Sequence, residues 1–305
     1  MENSVHHNHT ISHLADEYLA SLAARNYSAK SVAIYRQALE NLQHYLASLG
    51  RERPQDITAS DLENYRLDMV CRNFAPSSLE VYLRTVRQWF KWLEQNQRLF
   101  ANPAAGLLIP KPPRKLLPAP TQEQIRQLLL QPNVATRCGV RDRALLETAY
   151  TTGIRREELY RLTVCDLDLD NQRLRVLGKG RKERMLPLGK HALQWLRQYI
   201  AQVRPKLLKN HTDESALWIN QFGKRLDYNA LQQLFFRHSQ KAGITPKITP
   251  HSMRRACATH MLQNGAHPVQ LQLLLGHSTL RTLGQYLRLT VTELQQAHAR
   301  TRPGR

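Results

Sequence analysis

Cysteine is scarce in this chain. The 305 residues hold four, Cys71, Cys138, Cys165 and Cys257, with no Cys-x-x-Cys pair and no zinc-like spacing. A disulfide scaffold and a zinc module are therefore both excluded, and free, mostly buried thiols in a reducing compartment are expected. Long apolar runs are missing too. None approaches the ~18–20 residues of a membrane helix. The opening MENSVHHNHT has no apolar stretch behind a positive region, so no secretory signal is read and a cytoplasmic location is expected. Its His6, His7 and His9 read as part of a polar tail. There is no HExxH, no paired acidic metal site, no EF-hand loop, no internal repeat and no low-complexity block. Neither a metal nor another cofactor is expected.

Negative charge is the last shortage, and it points to a partner. Asp and Glu number 24 against 44 Lys and Arg, a formal charge of +20. Arg outnumbers Lys by 32 to 12, the preference expected where a planar fork must grip phosphate. The excess is uneven. Residues 1–119 carry 14 basic and 11 acidic side chains, whereas residues 120–305 carry 30 and 13. A polyanion is the natural partner, and nucleic acid leads because no basic amphipathic membrane anchor is present.

Hydrophobic periodicity divides the chain. From residue 11 to about 97 the pattern is helical and predicts a four-helix domain over residues 1–100. Ser28 caps a helix carrying Val32, Tyr35, Leu39, Leu42 and Leu46 on one side. Thr58 or Ser60 starts another, with Leu62, Tyr65 and Met69 inward. Ser77 opens the fourth, where Leu79, Tyr82, Leu83, Val86, Phe90 and Leu93 follow helical spacing. That helix also bears Arg84, Arg87 and Lys91, a basic stripe that suits either solvent or DNA. Residues 101–120 contain six prolines and read as a linker, with Lys111, Arg114 and Lys115 able to follow a phosphate backbone.

Residues 121–305 read as a second, mainly helical domain. Thr121 caps one helix, and residues 139–151 form another with Ala144, Leu145, Leu146, Ala149 and Tyr150 on its apolar face, ending near Gly153. Residues 172–188 predict two short strands around a Gly-Lys-Gly turn. Helices follow near 190–204, 228–242, 251–264, 267–275 and 291–299.

Five segments of this region hold reactive groups: Thr152-Gly153-Ile154-Arg155-Arg156-Glu157-Glu158-Leu159, Gly178-Lys179-Gly180-Arg181-Lys182-Glu183-Arg184, Pro250-His251-Ser252-Met253-Arg254-Arg255, Leu275-Gly276-His277-Ser278, and Tyr286. Taken singly, each has an ordinary structural explanation. Glu158, three residues after Arg155, can hold its guanidinium, and His251 and Arg254 share a helix face. Together, two arginines, a lysine and two histidines can surround one phosphodiester. Arginine forks stabilise charge on its non-bridging oxygens, and a tyrosine can attack it.

In their order and spacing, TGIRREEL, VLGKGRKERMLPL, PHSMRR, LLGHS and a tyrosine nine residues after His277 resemble the tyrosine recombinase (phage integrase) family, in its Xer-like branch. One departure is Arg255, where that branch usually has histidine; it argues against the host's own chromosome-dimer resolvase. The resemblance implies a mainly α protein. A four-helix SAM-like core-binding domain would precede a mixed, mainly α catalytic domain with a small β-hairpin or sheet, and the tail VTELQQAHARTRPGR would dock on a neighbouring subunit. It implies site-specific DNA strand exchange by a homotetramer or heterotetramer on double-stranded DNA, with accessory proteins conceivable and no metal, cofactor or membrane. Tyr286 would attack the scissile phosphate and form a 3′-phosphotyrosine. Arg155, His251 and Arg254 would hold the phosphate, His277 would hydrogen-bond it, Lys179 would protonate the leaving 5′ oxygen, and Glu158 would orient Arg155. Two rivals share the fold: a type IB topoisomerase-like nicking-closing enzyme, and a catalytically silent DNA-binding protein. An intact set of reacting groups argues against the second.

Overall fold

The computed structural model describes residues 10–110, 118–178, 182–208 and 215–276. The chain forms two compact units, residues 1–115 and 116–305.

In the first unit, α1 (Ile11–Ala24), α2 (Ala29–Ser48), α3 (Ala59–Cys71) and α4 (Pro76–Gln95) surround one apolar core. Capping explains where they begin. Ser28 Oγ accepts from the Ser31 amide, and Thr58 and Asp61 satisfy each other's amides at the head of α3. At α4 Pro76 occupies the first turn and Ala75 the cap, so the helix starts before Ser77. Proline suits that position because the first-turn amide has no helical acceptor to lose. Leu39, Leu42, Leu46, Leu62, Tyr65, Met69, Leu83, Val86, Phe90 and Leu93 are all buried, whereas Val32, Tyr35 and Tyr82 only border the core. Trp89, absent from the sequence-read face, is fully buried, and its indole N–H donates to the Leu14 carbonyl.

The proline-rich stretch is not uniform. Ala104 and Leu107 are buried in the first unit's core, and Arg87 donates to the Leu107 carbonyl. Farther along, Arg255 donates to the Pro118 carbonyl at 3.0 Å within the second unit.

The second unit is built on α6 (Arg137–Thr152), which is buried on several faces. Around it lie α5 (Gln122–Leu130), α7 (Arg156–Arg161), α8 (Lys190–Gln198), α9 (Arg204–Leu208), α10 (Tyr228–Lys241), α11 (Pro250–Gln263) and α12 (Pro268–Leu275). A π-helical turn at Tyr199–Val203 joins α8 to α9, so this helical stretch outruns the expected end at 204. The two expected strands, β2 (Arg173–Leu177) and β3 (Glu183–Pro187), are joined by a third, β1 (Leu167–Asp168), in an antiparallel sheet of order β1-β2-β3. At two residues, β1 is too short to show alternation in the sequence. The helix expected at 291–299 lies outside the described residues.

All four cysteines are free, but only Cys257 is buried; Cys71 and Cys165 are exposed. The expectation of mostly buried thiols does not hold, because each exposed cysteine stands at an element's edge, at the end of α3 and in a short turn before β1. Burial pushes the Cys257 thiol up to about 12.

Candidate active site

The site grows from a helix end. The last carbonyls of an α-helix fall outside its own hydrogen-bond ladder and need other donors. Gly276 ends the helix in the left-handed region at φ 63°. Three arginines then take three consecutive carbonyls. Arg184 Nε donates to Leu274 at 3.1 Å, Arg254 Nη2 to Leu275 at 2.6 Å, and Arg155 Nη2 to Gly276 at 2.8 Å. Three cations at a helix C-terminus also face the negative end of its dipole. The very next residue is His277.

Each arginine comes from a different element. Arg155 stands at the junction of α6 and α7, where Gly153 turns the chain at φ 56°. A side chain at Gly153 would bring Cβ to 2.7 Å from a Leu275 methyl, so both conformation and space demand glycine. Arg254 lies on α11, whose start is defined by Thr249, Pro250 and Ser252. It is buried and also donates to the Gly153 carbonyl at 2.7 Å, tying the end of α6 to the end of α12. Arg184 projects inward from β3 beside Leu186.

Glu158 organises two of the three. Its Oε2 accepts from the Arg155 amide at 3.0 Å and its Oε1 from Arg155 Nη1 at 2.9 Å. Arg184 forks onto both oxygens, at 3.0 and 2.8 Å. Burial alone would raise the Glu158 carboxyl, but the Arg184 hydrogen bonds, the Arg155 amide and the Arg184 charge outweigh it and hold it below the usual range. Arg155 stays the most accessible, its side chain 39% exposed against 14% for Arg184. Two of its five N–H groups are used inside the protein.

His251 is exposed at the head of α11. Partial desolvation and the positive charges of Arg255 and Arg254 lower its pKa, which favours the neutral ring at neutral pH. Gly178 places the root of the glycine hairpin against the cluster. A Cβ there would lie 3.2 Å from Arg184 Nη1 and 3.6 Å from Glu158 Oε1. Lys179, His277, Tyr286, Lys111, Arg114 and Lys115 lie outside the described residues, but Gly178 and Gly276 immediately precede Lys179 and His277. Of the basic stripe on α4, Arg84 is exposed and paired with Glu80, Arg87 is committed to the Leu107 carbonyl, and Lys91 is exposed. Among the described residues, no group of three or more His, Cys, Asp or Glu could hold a metal ion, and no helix is long and apolar enough to cross a membrane.

The sequence reading places Arg184 in the Lys179 segment but gives it no role. A signal was present: in a strand, residues two apart share a face, so an inward Leu186 implies an inward Arg184.

Residues 120–293 match the phage integrase family, and residues 15–97 match the phage integrase N-terminal SAM-like domain. This chain belongs to the phage integrase family. It is a site-specific tyrosine recombinase, an enzyme of DNA strand breakage and rejoining. It is 33% identical to "Tyrosine recombinase XerC 2" of Ralstonia nicotianae, over 95% of this chain and 85% of that one. It is 32% identical to "Tyrosine recombinase XerD" of Shewanella oneidensis, over 95% and 96%. Among solved structures, XerH site-specific recombinase bound to palindromic difH substrate shares the fold. Its TM-score is 0.74 at 19% identity, over 95% of this chain and 84% of that one.

Proposed function

We propose that this recombinase cuts double-stranded DNA with Tyr286 as nucleophile. The tyrosine oxygen forms a bond to the scissile phosphorus as the bond to the 5′ oxygen breaks, leaving a 3′-phosphotyrosine and a 5′-hydroxyl. Attack by the 5′-hydroxyl of a partner strand reverses the step on a new junction. The bond energy is kept in the phosphotyrosine, so the exchange needs no external energy source.

The observation that carries this reading is the arginine clasp on three consecutive carbonyls directly before His277. It gathers Arg155, Arg254 and the root of the Lys179 hairpin around the residue from which the chain runs on to Tyr286. Arg155 has exposed surface and spare donors for a non-bridging oxygen, and pre-aimed donors of this kind act most strongly on charge that develops in the transition state. Arg254 holds the clasp together from below and reaches the phosphate from the same side. Neutral His251 donates or accepts a proton at the phosphate, His277 hydrogen-bonds it, and Lys179 protonates the leaving oxygen. The recombinase works as a tetramer, homomeric or with a second recombinase, in the cytoplasm. Its α4 residues Arg84 and Lys91, with Lys111, Arg114 and Lys115, contact the DNA backbone.

The test is covalent trapping on a nicked suicide duplex, resolved on a denaturing gel, followed by strand exchange between two labelled duplexes. The wild type is expected to do both. Tyr286→Phe is expected to bind DNA normally and to trap none of it; covalent complex formation by the Phe variant would overturn the assignment. Relaxation of supercoils without partner exchange would indicate a nicking-closing enzyme instead.

A further inference from the structure

Arg184 lies in the same segment as Lys179 but carries none of the proposed chemistry, and it touches two of the other segments. Its fork holds Glu158, which holds Arg155. Its Nε holds the Leu274 carbonyl at the end of α12. Two glycines wall its guanidinium. A Cβ at Gly178 would lie 3.2 Å from it and one at Gly276 3.3 Å from it, and these glycines precede Lys179 and His277. Arg155 reaches the carboxylate with one guanidinium N–H, whereas the Arg184 guanidinium takes both Glu158 oxygens.

The charge count gives this engagement a consequence. Arg155, Arg184 and Glu158 together carry one net positive charge. Bidentate pairing with a guanidinium is the stronger and better-directed way to neutralise a carboxylate. With Arg184 in place, Glu158 is answered mainly from behind, and the positive field of Arg155 is left for the incoming phosphate. Without Arg184, the whole carboxylate charge would fall on Arg155 in a half-buried setting, where charges are weakly screened. The same guanidinium would then orient the phosphate less firmly and stabilise it less.

Building on the phosphotyrosine mechanism above, we infer that Arg184 is a positioning residue for recombination: it neutralises Glu158 so that Arg155 keeps its charge for the scissile phosphate, and it fixes the end of α12 beside it. It does not touch the DNA. Its effect passes through Glu158 and Arg155.

The experiment uses the full-length protein and measures DNA binding and single-turnover cleavage for R184Q, R184K, E158Q and the double variant R184Q/E158Q. Arg184→Gln is expected to leave binding within a few-fold and to slow cleavage by about 10²-fold, the scale on which one directed donor to the transition state acts. Arg184→Lys restores charge without the fork and should recover part of the rate. The decisive arm is the double variant. Glu158→Gln removes the charge that quenches Arg155 but keeps an oxygen for its Nη1. R184Q/E158Q should therefore cleave faster than R184Q alone, which a purely structural role would not produce. On a substrate with sulfur at the bridging 5′ position, the R184Q defect should persist, because the fault lies at the non-bridging oxygens and not at the leaving group.

Wild-type cleavage by R184Q overturns the inference. So does a double variant slower than R184Q, or full rescue by sulfur, which would assign Arg184 to the Lys179 hairpin. If R184Q does not fold, R184K and R184K/E158Q carry the same comparison. Tyr286→Phe, run alongside, separates the two ideas: if it still forms covalent complex the mechanism fails, and if it does not while R184Q is normal only the role of Arg184 fails.

Discussion

Asp142 tests how the catalytic unit is held together. Its side chain is only 3% exposed, and every hydrogen bond it accepts comes from a cationic or imidazole group. Oδ1 takes Arg141 Nε at 2.9 Å and Nη2 at 2.6 Å; Oδ2 takes Arg237 Nη2 at 2.7 Å and His238 Nε2 at 3.0 Å. Since a carboxylate only accepts, His238 Nε2 must carry the proton. Arg141 also donates to the Ile219 carbonyl at 2.8 Å. The cluster thus binds α6 to α10 and to the segment after residue 215, at the opposite end of α6 from Gly153.

Asp142→Asn keeps the volume and removes the charge. Whichever way the amide is turned, its NH₂ faces two donors at hydrogen-bond distance. Breaking a buried charge cluster by removing one partner costs about 3–5 kcal/mol. In a unit of this size each kcal/mol moves the midpoint by roughly 2–4 °C, so the shift should be about 6–20 °C. Arg237→Ala is the contrast. Its side chain is 56% exposed, and such a pair contributes about 0–1 kcal/mol. The assay is thermal unfolding followed by circular dichroism across pH. Burial alone would raise the Asp142 carboxyl, but the His238 hydrogen bond and the Arg141 charge hold it below its ordinary value. A depressed pKa contributes stability that is fully present above the unfolded value of about 3.9 and is lost as pH falls through the folded one. The gap between wild type and D142N should therefore be constant near neutrality and narrow below about pH 4. A D142N midpoint within 2 °C or so of wild type, or equal losses in D142N and R237A, would refute the reasoning.

DNA binding should weaken steeply with salt, by about 10³–10⁵ between 50 and 200 mM for ~6–10 phosphate contacts; a flat binding isotherm series would return the +20 charge to a solubility role. Gly153→Ala should lose at least about 1–2 kcal/mol in denaturant titration from its left-handed backbone alone, with more from the 2.7 Å clash against Leu275, and cleavage should fall with it. His251, depressed in the free protein, should titrate below 6.5 by NMR and shift upward on DNA, because phosphate favours the cation; affinity should therefore rise as pH falls from the bound-state pKa toward the lower free-state one, and that slope should vanish in His251→Gln.

Much of the fold was readable because its signals are local. The i, i+3, i+7 spacing of Leu39, Leu42 and Leu46, the Thr58 and Thr121 caps and the glycine at 153 each act within a turn or two of helix. What was missed depends on contacts across the chain. The two-residue β1 exists because Leu167 pairs with Leu174 and Asp168 with Arg173. Leu107 looked like linker from its prolines, yet it is buried against helices far earlier in sequence. Ser77 is a local miss: the proline before it already fills the first turn, and Ala75 is the cap.

The site was legible as a set of residue types and hidden as a geometry. Arg155, Glu158, His251 and Arg254 could be picked out because an arginine at a glycine turn and a histidine three residues before an arginine have few other purposes when all occur in order. Nothing local said that Arg254 would be buried, spending two donors on the carbonyls of Gly153 and Leu275, or that Arg155 would hold the next carbonyl along. Those bonds join residues 101, 21 and 121 positions apart. They arise from a need the sequence does not display: a helix end at residues 274–276 whose carbonyls are capped from other elements. Gly276 is the visible trace of that need. It permits the left-handed turn and leaves room for the Arg184 guanidinium where a Cβ would press to 3.3 Å. The cap and the proposed phosphate site therefore share Arg155 and Arg254, with Arg184 holding the cap behind them. A substitution that loosens the end of α12 should reach the chemistry through them before it reaches the stability of the fold.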